Sequence, residues 1–390
     1  MQLHYEAAEE EFRDRLVAWL GEHAPSRAEM ASAPRRSTAH MPEWARRFQR
    51  AMFDDGWLVP GWPPRFGGRD ASPVEQMIYF EELARREIQR ASNPQGLSIC
   101  TPSIVDRGTE DQIERYAIPT LKAEVTWCVG MSEPGAGSDL AALSTRAVRR
   151  GDSFVVDGQK VWTSGAHDAT YCMAFVRTDT DAPKHKGISA LIVDMASPGI
   201  ECRPLLEITE KGHADFNEVF FTDVEVPVEN LVGELDGGWA IANTSLSHER
   251  AMLWVNQATN TERALGVVRE TLCPTADGAL RDRLATLAID VQALWLMGYR
   301  GFAKAAKGRA APEHSILKLY GSETEQRLDL LAAEALGADA LDLSRMSGVA
   351  SSRELPWMTN YFRTFANTIA GGTSEIQRNI IAERILGLPR

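Results

Sequence analysis

The sequence predicts an α+β multidomain protein in which a helical N-terminal part, a β module and a helical C-terminal part follow one another. Three observations lead there. Apolar residues recur at helical spacing through the first third of the chain, runs rich in Val, Phe, Tyr and Thr then alternate with turn residues, and helical spacing returns after Gly237-Gly238. The expected divisions are residues 1–125, 126–236 and 237–390. A chain of 390 residues with 44% hydrophobic content can bury a core in each part.

From the N-terminus, Ala8, Phe12, Leu16 and Leu20 fall every four positions and predict an amphipathic helix that Gly21 and Pro25 end. Residues 25–40 are polar and aperiodic, and read as a mobile loop. Trp44, Phe48 and Met52 resume the helical period until Gly56. WLVPGWPPRFGGRDASP is too rich in Gly and Pro for regular structure, and Pro73 then suits the first turn of a helix over PVEQMIYFEELARREI. The character changes near Thr126. DSFVVDGQKVWTSG, DATYCMAFVRTD, GISALIVDM and FNEVFFTDVEV read as strands, with Asp157-Gly158 a hairpin signal. Three long helical segments follow, separated near Pro274 by what reads as an inserted loop.

The charge balance narrows the partners. Forty-two basic against 54 acidic residues leave a net charge of −12, which disfavours a general affinity for nucleic acid or anionic membrane. Five scattered cysteines form no CxxC pair, so neither a disulfide framework nor a zinc or other metal site is expected, and a reducing cytoplasm fits. The opening MQLHYEAAEEEF lacks a basic and an apolar leader region, and no apolar run reaches ~18 residues, so neither a targeting nor a membrane-spanning segment is expected.

Three motifs carry the chemistry. MSEPGAGSD (131–139) sets Gly135, Ala136, Gly137 and Ser138 in a turn whose amides could meet a phosphate or a ring edge, a weak signal alone, since such a turn also serves merely to lead into strands. QKVWTSG (159–165) follows, and TIAGGTSEIQRNIIAERILGLPR closes the chain. Trp162, one of ten tryptophans, would ordinarily be read as a core residue on a strand.

In this order, and with GISALIVDM and NEVFFTDVEVPVENLVGE between them, the segments resemble the acyl-CoA dehydrogenase family over nearly the whole chain. The resemblance implies a helical N-terminal domain, a middle β-barrel and a C-terminal four-helix bundle, holding FAD and oxidising an acyl-CoA at Cα and Cβ to a trans-2-enoyl-CoA. It implies that Met131, Ser132, Gly137, Trp162, Thr163, Ser164, Gly372 and Thr373 meet the cofactor, with Met131 and Ser132 at the polar edge of the flavin, Trp162 packed on it and Ser164 near N5. Ser138 and Arg250 match positions that bind the CoA moiety. Electron-transferring flavoprotein is the implied acceptor, and a homotetramer or dimer the implied assembly.

The reaction needs a carboxylate at the substrate α-carbon. Many relatives carry it before the C-terminal Gly-Thr, where this chain has Gly371. A subset resembling isovaleryl-CoA and long-chain enzymes places it before an arginine on the first long C-terminal helix, which makes Glu249, in Glu249-Arg250, the expected base. Gly371 keeps a backbone amide for the thioester oxygen and frees volume for a branched or bulky acyl group. Of the other candidate bases, Glu375 matches a cofactor-side position of the family, and His248 and Asp215 match no base of it. The Arg-x-x-Phe-Gly and Gly-Gly-x-Gly segments that bind FAD across a subunit interface are missing, CPTADGALRDRL and ALGADAL standing in their places. Two other readings stay open: a flavin oxidase or monooxygenase on the same fold, and a non-catalytic partner in a heterotetramer.

Overall fold

The structure, a computed structural model, describes residues 5–209, 214–272, 277–307, 313–341 and 357–389, the side chains of 244–253 and 314 excepted. Helical N- and C-terminal parts flank a middle sheet, as the periodicity predicts. The chain forms two compact units, one of Met1–Gln76, Ile88–Glu207 and Lys211–Glu249, the other of Met77–Glu87, Ile208–Glu210 and Arg250–Arg390.

In the first unit α1 (Ala7–His23) opens on a reciprocal cap between Glu6 and Glu9 and buries Phe12, Leu16 and Leu20. Phe12 meets Trp57 edge-on at 5.3 Å. The aperiodic stretch 25–40 departs from expectation, because Ser26 caps a short helix, α2 (Arg27–Ser32), and the residues after it are held by side-chain hydrogen bonds. Helix α3 (Glu43–Asp54) buries Ala45, Phe48 and Met52 and stops before Gly56. Then comes α4 (Pro73–Arg85), which from Met77 onward belongs to the second unit, followed in the first by α5 (Thr101–Arg107), α6 (Glu110–Gln112) and α7 (Ile118–Leu121).

The sheet has β1 (Trp127–Gly130), β2 (Arg146–Arg150), β3 (Ser153–Lys160), β4 (Tyr171–Arg177), β5 (Ile188–Asp194), β6 (Ile200–Pro204), β7 (Asn217–Pro227) and β8 (Leu231–Val232). Its order is β6-β7-β3-β2-β4-β5-β8, with β1 parallel to β4. Alternate residues of β4, Cys172, Ala174 and Val176, join Val156, Leu191 and Phe221 in one core cluster. The other face of β4 is buried too, and Tyr116 packs edge-on against Tyr171 at its start. Asp157-Gly158 does not make the hairpin. Gly151 and Asp152 connect β2 to β3, and Asp157-Gly158 lies inside β3 at a bulge. The glycine serves close approach there: a Cβ on Gly158 would sit 2.6 Å from the Thr145 hydroxyl oxygen.

Helix α8 (Gly238–Leu272) leads into the second unit, which holds α9 (Gly278–Ala305), α10 (Glu313–Leu336), α11 (Trp357–Ile369) and α12 (Ser374–Ile380). The loop expected near Pro274 falls at residues outside the described ones. Helix α10 lies against both α9 and α11. Ala264, Val268, Leu287, Leu328 and Trp357 share one core cluster, and Trp254, Val255, Leu294 and Leu317 another. On α12 Ser374 and Gln377 are buried, while Ile376, Ile380 and Ile381 are half-exposed, because the helix rests on the unit through its polar face. Gly387, at φ 68°, follows the end of the segment.

Candidate functional site

Strand β3 delivers the motif QKVWTSG to the end of the sheet, and the turn after β1 comes to meet it. The Val161 amide donates to the Ser132 carbonyl at 2.9 Å, so the two motifs are joined by backbone. Beneath this contact lies Lys160, whose side chain is wholly buried. Its Nζ donates to Glu133 Oε1 at 2.8 Å and to the Met131 carbonyl at 3.1 Å. Glu133 also accepts from the Ser144 amide and hydroxyl and the Thr145 amide, at 2.6, 2.8 and 2.8 Å. Burial raises the Glu133 pKa, but the Lys160 charge and these donors outweigh it and bring the carboxyl down to about 2. Desolvation pulls the Lys160 ammonium down while Glu133 pushes it back up. A carboxylate with this many donors is ionised, and the pair is an ion pair.

Trp162 is not a core residue. Its backbone is left-handed, φ 60°, and its indole is 61% exposed, touching Phe216 edge-on at 6.0 Å. Thr163 is buried, and its hydroxyl has no hydrogen-bond partner among the described residues. Ser164, Met131 and Ser132 are half-buried, whereas Gly137 and Ser138 are exposed at the tip of their turn.

The Trp162–Gly165 bend is held from below. The Thr163 amide donates to the Asn217 carbonyl, the Asn217 side chain donates back to the Thr163 carbonyl, and the Gly165 amide donates to the Asp215 carbonyl. The Asp215 carboxylate takes the Thr38 amide at 2.7 Å and its hydroxyl at 3.0 Å, and Asp168 takes the Ser37 hydroxyl at 2.8 Å. The Asp215 carboxylate is thus engaged in holding Thr38. Gly165, at φ 68°, lies so close to this strap that a Cβ would be 2.7 Å from Ala39.

The remaining expected residues belong to other stretches. Gly371 and Gly372 have φ of 68° and 100°, and a Cβ on Gly371 would meet no atom of the described residues within 4 Å. The Gln377 amide donates to the Gly371 carbonyl at 3.1 Å, and Lys318 Nζ to the Gly372 carbonyl at 2.6 Å. Thr373 caps α12 by accepting from the Ile376 amide. Glu375 is exposed, with its carboxyl held low first by its own backbone amide and then by Thr373, the reverse of what a proton acceptor needs. Glu249, Arg250 and His248 fall on α8, and their side chains lie outside the described residues.

Family models set this geometry in context. Acyl-CoA dehydrogenase N-terminal, middle and C-terminal domains match residues 6–124, 128–224 and 236–386. The chain belongs to the acyl-CoA dehydrogenase family. It is 43% identical over 385 residues to acyl-CoA dehydrogenase FadE34 of Mycobacterium tuberculosis, covering 97% of this chain and 51% of that protein, so it spans about half that relative's length. Acyl-CoA dehydrogenase IpdE1 of the same organism is 35% identical over 402 residues, covering 98% of both chains. Among solved structures, the Tcur3481-Tcur3483 steroid ACAD matches all of both chains with a TM-score of 0.83 and 31% identity. This acyl-CoA dehydrogenase is accordingly an oxidoreductase acting on acyl-CoA. No helix among its described residues is long and apolar enough to cross a membrane.

Sequence reasoning missed the Glu133–Lys160 pair and the strap at Ser37–Ala39. The lysine inside a strand-forming run was the available signal for the first. For the second there was none, because Thr38 and Asp215 are 177 positions apart.

Proposed function

We propose that this chain is an FAD-dependent acyl-CoA dehydrogenase whose substrate carries a bulky, ring-bearing acyl group. The observation that carries the cofactor is the Trp162–Thr163 pair: an indole presented to solvent from a strained backbone beside a buried hydroxyl without a partner among the described residues. An isolated strand end gains nothing from either. A flat ring with a polar edge fits both, offering the indole a face to pack on and the hydroxyl an acceptor.

On this reading Trp162, Thr163 and Ser164 hold one side of the flavin ring, and Met131, Ser132 and Gly137 its polar edge. Gly372 and Thr373 serve the pyrophosphate side. When bound, FAD supplies the acceptor for the hydride that leaves Cβ. Glu249 takes the α-proton, Gly371 gives its backbone amide to the thioester oxygen as negative charge gathers there, and Ser138 and Arg250 bind the CoA arm. A trans-2-enoyl-CoA leaves, and electron-transferring flavoprotein receives the electrons. The space that the described residues leave around a Cβ at position 371 supports a wide acyl group, as does the steroid named for the Tcur3481-Tcur3483 relative.

Anaerobic titration of the purified yellow protein with acyl-CoA thioesters tests this. Thioesters with fused-ring acyl groups bleach the flavin faster than straight-chain ones, and Glu249→Gln keeps the flavin but bleaches at least about 100-fold more slowly. Unchanged bleaching in that variant would remove Glu249 from the reaction, and rapid reoxidation by air would favour an oxidase.

A further inference from the structure

A lysine with no solvent exposure is costly unless its charge has a use, and in this chain its contacts are specific. Lys160 Nζ reaches Glu133 at 2.8 Å and the Met131 carbonyl at 3.1 Å. The carbonyl belongs to the peptide whose other end is the Ser132 amide. The Ser132 carbonyl is taken by the Val161 amide, whereas its own N–H has no partner among the described residues. A cation on one end of a peptide draws electron density from the other, so the N–H becomes a stronger donor. Glu133, fixed by Ser144 and Thr145, keeps the ammonium charged and in place.

We propose that Lys160 is a positioning residue that fixes and polarises the Met131–Ser132 peptide, so that the Ser132 amide is presented as a strengthened hydrogen-bond donor to the polar edge of the flavin. This rests on the flavin reading above and adds to it. The lysine touches neither flavin nor substrate and acts through one peptide group. A donor strengthened in this way favours the form of the ring that carries more negative charge, which is the reduced form. Its loss therefore lowers the reduction potential as well as weakening binding.

The test uses the full chain and the double variant Glu133→Gln/Lys160→Met, which removes both buried charges together and so leaves neither uncompensated. Flavin binding and the flavin potential are measured against the unaltered chain. Binding is expected to weaken about tenfold, the loss of one charge-assisted contact. If the reduced form loses tenfold more than the oxidised, the two-electron potential falls by about 30 mV. A defect confined to folding would lower the yield of yellow protein without moving the potential of the flavin it retains. Flavin in the unaltered chain, with both quantities unchanged in the double variant, overturns this inference and leaves the cofactor reading standing. An unaltered chain that takes up no flavin overturns both. Should the double variant not fold, a structure of the flavin-loaded chain decides: the Ser132 amide on a flavin acceptor supports the proposal, and the amide turned to any other partner overturns it.

Discussion

Thr163 holds a buried hydroxyl that nothing among the described residues satisfies, and such a group costs stability until a partner arrives. Thr163→Val keeps the shape and removes the hydroxyl. It is expected to stabilise the flavin-free chain by about 1 kcal/mol and to lose that advantage once flavin is bound; denaturant unfolding of the two forms measures both. Glu133 gives a pH signature. Its carboxyl is lowered from 4.5 to about 2, so its contribution is fully present above pH 4.5 and is lost as pH falls toward 2. Glu133→Gln is expected to cost about 3 kcal/mol at neutral pH, since it leaves the buried Lys160 charge unpaired, and the gap between variant and parent should narrow across that acid window. At this scale the sequence was partly legible. Trp162 stood out through its motif, but Lys160 and Glu133 are 27 residues apart, and a strand residue's partner in a distant turn leaves no trace in local pattern.

Among elements, the segment after α2 bears most on the candidate site. Thr38 and Ser37 are tied to Asp215 and Asp168, and Ala39 fills the space that a side chain at Gly165 would need. Asp215→Ala removes the acceptor of both Thr38 bonds and is expected to cost about 2 kcal/mol. Because the Asp215 carboxylate holds Thr38 at the middle of the strap, limited proteolysis should cut near residues 35–40 faster in the variant than in the parent. Cleavage at an unchanged rate would show that the strap does not depend on Asp215. The sequence reading took this stretch for a mobile loop because it has no apolar period, yet polar side chains order it from elsewhere in the chain. Asp157-Gly158 misled for a related reason. A glycine chosen for the near approach of Thr145 carries the same letters as one chosen for a turn.

For the whole molecule, the succession of helices, sheet and helices was legible because each part has its own hydrophobic period, and the long C-terminal helices lie where the spacing puts them. What the period does not encode is which segments share a core. Residues 77–87 belong by contact to the unit formed by residues 250–390, although more than 160 positions of chain intervene. Met77 and Ala84 join Trp254, Val255, Leu294 and Leu317 in one cluster. Tyr299 donates to Glu81 at 2.8 Å, and Arg263 pairs with Glu87 at 2.8 Å and donates to the Ala84 carbonyl at 2.9 Å. The same cluster is tight: Gly298 leaves no room for a Cβ, which would lie 2.1 Å from the Trp254 ring. Two substitutions therefore act on one core from opposite ends of the sequence. Met77→Ala opens a cavity at a residue 2% exposed and is expected to cost 2–5 kcal/mol, roughly the range for such truncations. Gly298→Ala overfills the space beside Trp254 and is expected to cost about 1–3 kcal/mol. Because the added methyl can relax toward the vacated volume only if residue 77 and residue 298 line the same core, the double variant in full-length chain should lose less than the two costs together. Chemical denaturation of the four chains measures the coupling, and strict additivity would show that the early helix and the late bundle are separate cores.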